Sequence, residues 1–139
     1  MLREQKNSRK QGDVGLGVAI GWFTQNGYTV CVPLTDSQDY DLVVEADDGL
    51  KKIQVKTTYC KSAEGVFKAT IRTSGGNKTG TKVKKFNPES VDFLFVLTED
   101  GDGYLIPSGS IRSRNTVNLG SERKKYRVMG AHKSCGETS

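Results

Sequence analysis

Three side chains in one short stretch have the types and spacing that chemistry on an anion needs: Asp41, Gln54 and Lys56. They lie in two runs, Asp41-Leu42-Val43-Val44 and Ile53-Gln54-Val55-Lys56-Thr57, on either side of an Asp-Asp-Gly turn. A two-residue turn at Asp48-Gly49, a good type I′ pair, folds the runs into an antiparallel hairpin. That register sets Leu42 against Val55 and Val44 against Ile53 on one apolar face. On the other face Asp41 opposes Lys56, Val43 opposes Gln54 and Glu45 opposes Lys52. Opposed Cβ atoms lie ~5 Å apart and diagonal ones ~7 Å, so a carboxylate, a side-chain carbonyl and an ammonium converge on one patch. Oxygens from Asp41 and Gln54, with a backbone carbonyl near Val55, suit a hard cation such as Mg²⁺, which takes few protein oxygens and keeps waters. A cation there activates water and neutralises charge on a phosphate, and Lys56 is placed to orient the water or stabilise that charge. The same pattern also describes an ordinary cross-strand Asp–Lys pair on a solvated sheet face, worth about 0–1 kcal/mol.

These residues need a sheet to hold them. The spacing predicts a helix over residues 12–27, with Val14, Val18, Ala19 and Trp22 at helical intervals and Gly27 as its stop. Gly15, Gly17 and Gly21 each weaken that helix by about 1 kcal/mol relative to Ala, which implies close packing against a sheet. Strands are expected at residues 28–32, 40–45, 51–57 and 66–72, the last alternating Phe67, Ala69, Ile71 with Lys68, Thr70, Arg72. Residues 73–80 read as a polar loop. The run at 91–97 is apolar enough to be a strand buried on both faces, and 104–107 returns beside it after a turn. A short helix after Ser108 and a weaker strand near 116–119 follow, and the tail from Ala131 is expected to fray.

Composition narrows the partners. The 139 residues suit one domain, with a core over about 10–107 and a basic extension over 108–139. No run approaches the ~20 apolar residues of a membrane span. The polar start, MLREQKNSRKQGD, does not read as a secretory signal. Cys31, Cys60 and Cys135 are odd in number and have no metal-like spacing, which implies reduced thiols in a cytoplasmic or nucleoid-associated protein. Cys60 is expected as a small buried hydrophobe, and Trp22 and Phe23 as core. His132 is the lone histidine, which disfavours a histidine-based zinc site.

The formal net charge of +5 hides a pattern. Charges from Asp36 to Asp48 are all acidic, and the flanking segments are basic. Lys78, Lys82, Lys84 and Lys85 border the Gly/Thr-rich segment, and Arg112, Arg114, Lys124 and Lys125 follow further on. An acidic centre between basic arms fits carboxylates that hold a cation and a rim that holds phosphates, which makes these eight residues candidate DNA contacts. Two apparent glycine motifs fail. Thr81 stands where a phosphate loop requires Lys, and no strand precedes Gly15-x-Gly17.

The two central runs, together with Gly12-Asp13-Val14-Gly15 opening the helix, Gly27-Tyr28-Thr29-Val30 before Pro33, Val91-Asp92-Phe93 and Tyr104-Leu105-Ile106-Pro107, resemble the PD-(D/E)XK nuclease superfamily. The chain resembles small endonucleases of that superfamily that include a cyanobacterial intron homing endonuclease. The resemblance implies an α/β fold with a restriction-endonuclease-like core, a central mixed β-sheet flanked by helices. It implies a Mg²⁺-dependent endonuclease on double-stranded DNA, with Asp41 and Gln54 on the metal and Lys56 as the catalytic lysine. Gln54 replaces the usual acidic residue, and Leu16 stands where relatives often carry Glu, leaving Asp13 as the possible auxiliary carboxylate. Site-specific, homing-type cleavage is the expected subclass. The alternatives are junction resolution and a non-catalytic DNA-binding or assembly descendant. One site per domain implies a homo-oligomer, dimer or tetramer, for cutting both strands.

Overall fold

The structure, a computed structural model, describes residues 7–77 and 80–130, without side chains between 74 and 82. One helix, α1 (Ser8–Gln25), leads into strand β1 (Thr29–Cys31), and the hairpin β2 (Leu42–Ala46) and β3 (Gly49–Thr58) follows. Then come β4 (Lys68–Thr70), β5 (Thr73–Asn77), β6 (Gly80–Lys84), β7 (Phe93–Thr98) and β8 (Gly103–Pro107). The described residues close with β9 (Thr116–Asn118) and β10 (Arg127–Met129), with 3-10 turns at Ser108–Ser110 and Ser121–Tyr126. The main sheet has six strands in the order β1-β2-β3-β7-β8-β10. Only β3 and β7 are parallel in it, so the sheet is mixed, as expected. The segment beyond residue 107 thus returns an edge strand, β10, that its polar sequence did not announce. Among the described residues no helix is long and apolar enough to cross a membrane.

Strand β7 explains how the layers are held. Its residues alternate, Leu94 and Val96 to one face and Phe95 and Leu97 to the other, and all four are fully buried. The Phe95 side packs under α1 with Ala19, Phe23, Leu42, Val44 and Ile53. The Leu94 side packs under β4, β9 and their flanks, with Phe67, Ala69, Ile71, Val117 and Leu119. Burial on both faces is why this run reads as continuous apolar sequence. Trp22 and Phe23 are core as expected, with ring centroids 5.0 Å apart in an edge-on pair. Cys60 is exposed, as is Cys31, so the expectation of a buried Cys60 fails.

Helix α1 starts earlier than its apolar pattern suggests. Asn7 caps it, its side chain accepting from the Arg9 and Lys10 N–H groups, so the helix gains a turn of polar residues. It ends where expected, with Gly27 at φ +86°. Only one of the three helix glycines has the packing role expected of them. A Cβ on Gly15 would stand 2.4 Å from the Thr57 Cγ2, whereas Gly17 and Gly21 face open space. The loop expected over 73–80 is strand at its described residues, 73–77 and 80: β5 and β6 pair antiparallel with Thr73 opposite Lys84 and Ser74 opposite Val83. Glycine and threonine here compose a two-stranded ribbon, which period-2 reading misses because it has no apolar face.

Opposite outcomes follow at the glycines. Gly17→Ala and Gly21→Ala should each raise stability by about 0.5–1 kcal/mol. Gly15→Val should lower it by about 1–3 kcal/mol through crowding against a stiff β-branched threonine. Urea unfolding of the three variants checks both directions.

Candidate active site

The hairpin β2–β3 forms, in a register displaced from the expected one. Leu42 pairs with Ile53, Val43 with Lys52, Val44 with Lys51 and Ala46 with Gly49. The turn is therefore Asp47-Asp48. A type I′ turn at Asp48-Gly49 would need Asp48 at positive φ, and here only the glycine takes the left-handed side, at φ +126°. The displacement is even, so each side chain keeps its expected face. Ile53 and Val55 turn toward α1, and Gln54 turns the opposite way, into a small cleft with Ile71 and Phe86. Alternation along β3 puts Lys56 on the Gln54 side.

Asp41 stands where the ladder stops. Its N–H donates to the Ile53 carbonyl at 2.8 Å. Its carboxylate Oδ2 accepts from the Val55 N–H, also at 2.8 Å. The side chain thus takes a strand donor that β2 no longer pairs, which fixes the carboxylate at the β3 edge beside the residue between Gln54 and Lys56. Burial pushes the Asp41 carboxyl above its ordinary range, against the lowering pull of the Val55 hydrogen bond and the Lys56 charge. Burial likewise pulls the Lys56 ammonium below its ordinary range, while Asp41 pulls it back up. The two act on each other through space, since no direct ion pair joins them among the described residues.

Gln54 is 6% exposed, and its Oε1 is buried with no hydrogen-bond partner. A buried carbonyl left so costs about 1–3 kcal/mol. It is a free acceptor on a carbonyl oxygen. No group of three or more His, Cys, Asp or Glu could hold a metal among the described residues. A cation here would therefore rest on one carboxylate, the Gln54 carbonyl and neutral oxygens, which are hard donors of the kind Mg²⁺ takes.

The remaining candidates separate. Asp13 is exposed, off the buried stripe Gln11, Gly15, Ala19 and Phe23 by which α1 meets the sheet, so the structure does not bring it to Asp41. Leu16 packs at the edge of the α1 core. Lys84 and Lys85 line the cleft that contains Gln54, and Lys84 Nζ meets Asp39 Oδ1 at 2.7 Å. That ammonium holds the Asp39 carboxyl below its ordinary range, with a smaller pull from the Ser90 hydroxyl. Asp39 is the residue that sequence reasoning passed over; its place two positions before Asp41 was the available signal. Arg112, Arg114, Lys124 and Lys125 are exposed on the loop and 3-10 turn around β9 and β10. The Arg114 guanidinium is turned back onto the Ile111 and Arg112 carbonyls. The Lys78 backbone, the Lys82 side chain and His132 lie outside what the structure describes.

A family model for the PD-(D/E)XK endonuclease matches residues 6–131. The chain belongs to the PD-(D/E)XK endonuclease family. A solved structure described as a bacterial homing endonuclease, I-Ssp6803I, shares the fold of this PD-(D/E)XK chain at a TM-score of 0.70 and 23% identity. The match covers 87% of this chain and 88% of that one. No curated protein sequence matches the chain.

The orphaned carbonyl gives a direct test of what the site is for. Gln54→Met keeps the side-chain volume and removes the unpaired acceptor, so it should raise stability by about 1 kcal/mol or more. The same variant should weaken divalent-cation binding, followed by calorimetry with Mg²⁺ or Mn²⁺. A loss of stability would mean that Gln54 serves the fold.

Proposed function

We propose that this chain is a divalent-metal-dependent DNA endonuclease that hydrolyses phosphodiester bonds at Asp41, Gln54 and Lys56. The observation that carries this reading is the unpartnered, buried Gln54 Oε1 on the strand whose edge holds the Asp41 carboxylate. Membership of an endonuclease family whose nucleases are metal-dependent supports it.

Asp41 and Gln54 would hold the cation, and Mg²⁺ is the ion their hard oxygens suit best. Bound there, it would supply Lewis acidity and positive charge beside the phosphate. Asp41 does its part only when ionised, and the Val55 N–H keeps the carboxylate aimed while it is. Lys56, half-buried and with a weakened hold on its proton, orients the attacking water and balances charge that develops on the phosphate oxygens. Water adds to phosphorus and loses a proton to solvent, the P–O bond to the leaving strand end breaks, and the departing oxygen takes a proton back from solvent. Lys85, which lines the cleft with Gln54, would supply a phosphate contact there, and exposed Arg112, Lys124 and Lys125 would supply others further along the surface.

Site-specific, homing-type cleavage is the subclass we favour, since I-Ssp6803I is described as a bacterial homing endonuclease. Each chain carries one such site, so a cut through both strands calls for a homo-oligomer. A second reading, a DNA-binding chain without catalysis, is favoured by the single carboxylate at the site.

Incubation with supercoiled plasmid, linear DNA and a four-way junction, with Mg²⁺ or EDTA, separates these readings. Metal-dependent nicking or linearisation is expected, and Lys56→Ala should abolish it with DNA affinity nearly intact. No cleavage of any substrate would leave the binding module. The pH profile carries a second expectation. Asp41 titrates above the ordinary aspartate range, and protons compete with the cation for it. The acid limb of kcat/KM should therefore fall at a higher pH than an ordinary aspartate, near 3.9, would give.

A further inference from the structure

Lys84 lies at the end of β6, on the hairpin formed with β5, and Asp39 lies on the segment that leads into Asp41. Their side chains meet at 2.7 Å, with Lys84 61% and Asp39 27% exposed. Both line the cleft that contains Gln54, together with Thr73, Lys85 and Ser90. An ion pair this exposed adds little to stability. Its geometric effect is larger. A lysine head on a flexible four-carbon stem is here held in one place, in the cleft that Gln54 also lines, with most of its surface still open to an arriving anion.

We propose that Asp39 is a positioning residue whose carboxylate holds the Lys84 ammonium in the cleft that Gln54 also lines, making Lys84 the anchor for a DNA phosphate at the edge of the catalytic centre. This rests on the endonuclease reading for its location, and it adds a role for a carboxylate that neither holds the cation nor touches the reacting bond. Asp39 acts through Lys84. Removing its charge frees the lysine head to wander, while also removing a negative charge from the path of the DNA.

The test uses the full chain in three forms: Lys84→Met, Asp39→Asn, and the reversal Asp39→Lys with Lys84→Asp. Affinity for a labelled DNA duplex is measured by anisotropy in EDTA across a salt series, and plasmid cleavage is measured with Mg²⁺. Lys84→Met should reduce the slope of log K against log salt by about 0.9, the loss of one phosphate contact. Asp39→Asn should bind as tightly as the parent or tighter, yet cleave with kcat lowered by roughly tenfold, the cost of a displaced contact. The reversal keeps an ion pair between hairpin and segment, and should melt near the parent while binding DNA no better than Lys84→Met.

Parent-like binding and cleavage by the reversal would show the pair to be a strut and overturn the proposal. So would an unchanged salt slope in Lys84→Met, or losses that multiply independently when Asp39→Asn and Lys84→Met are combined. If the parent cuts no DNA, the endonuclease reading fails. The salt slope and the reversal's affinity then still decide whether Lys84 is a phosphate anchor. Lys84→Met changes an exposed side chain, so its slope is measurable even if the reversal does not fold.

Discussion

Everything at the candidate site depends on one hydrogen bond, from the Val55 N–H to the Asp41 carboxylate. Strand β3 needs a partner for that donor, because its opposite edge is already committed to β7. Strand β2 gives up the pairing at Leu42, and a side chain steps in for a backbone carbonyl. The substitution satisfies the strand and at the same time parks an ionisable group in a crowded place. A feature that elsewhere would merely finish a ladder is here what fixes the candidate carboxylate.

The cost of that arrangement is visible in three shifts away from comfort. Asp41 resists ionisation, Lys56 releases its proton more readily than a solvated lysine, and Gln54 buries a carbonyl with nothing to accept. Each is unfavourable for folding alone, and under the proposed reading a cation or a phosphate would relieve each. The large apolar layers on both faces of β7 leave room for this. Polar groups strained in the free protein and satisfied by ligand are what a binding site looks like when the rest of the domain is well packed.

Much of this was legible in the sequence, for specific reasons. Alternation in β3 announces its two faces, and the apolar run of β7 announces a strand covered on both sides. The turn was misread because Asp-Gly is the common hairpin pair, whereas this chain uses Asp47-Asp48 and spends its glycine one place later. The β5–β6 ribbon has no apolar face to reveal it, and β10 is a short, half-buried edge. Asp39 was read as one charge in an acidic run. Its partner stands 45 residues away, and no local pattern links the two.

The two-place slip of the hairpin changed which residues face each other and left the chemistry where it was. A strand pair encodes its inner and outer sides as parity, odd or even. Turn length can drift in even steps without any message being lost, whereas a single-residue change in strand phase would exchange Gln54 and Lys56 for Ile53 and Val55. The β2–β3 turn is thus a place where related chains can diverge freely in wording while the sheet keeps checking one bit.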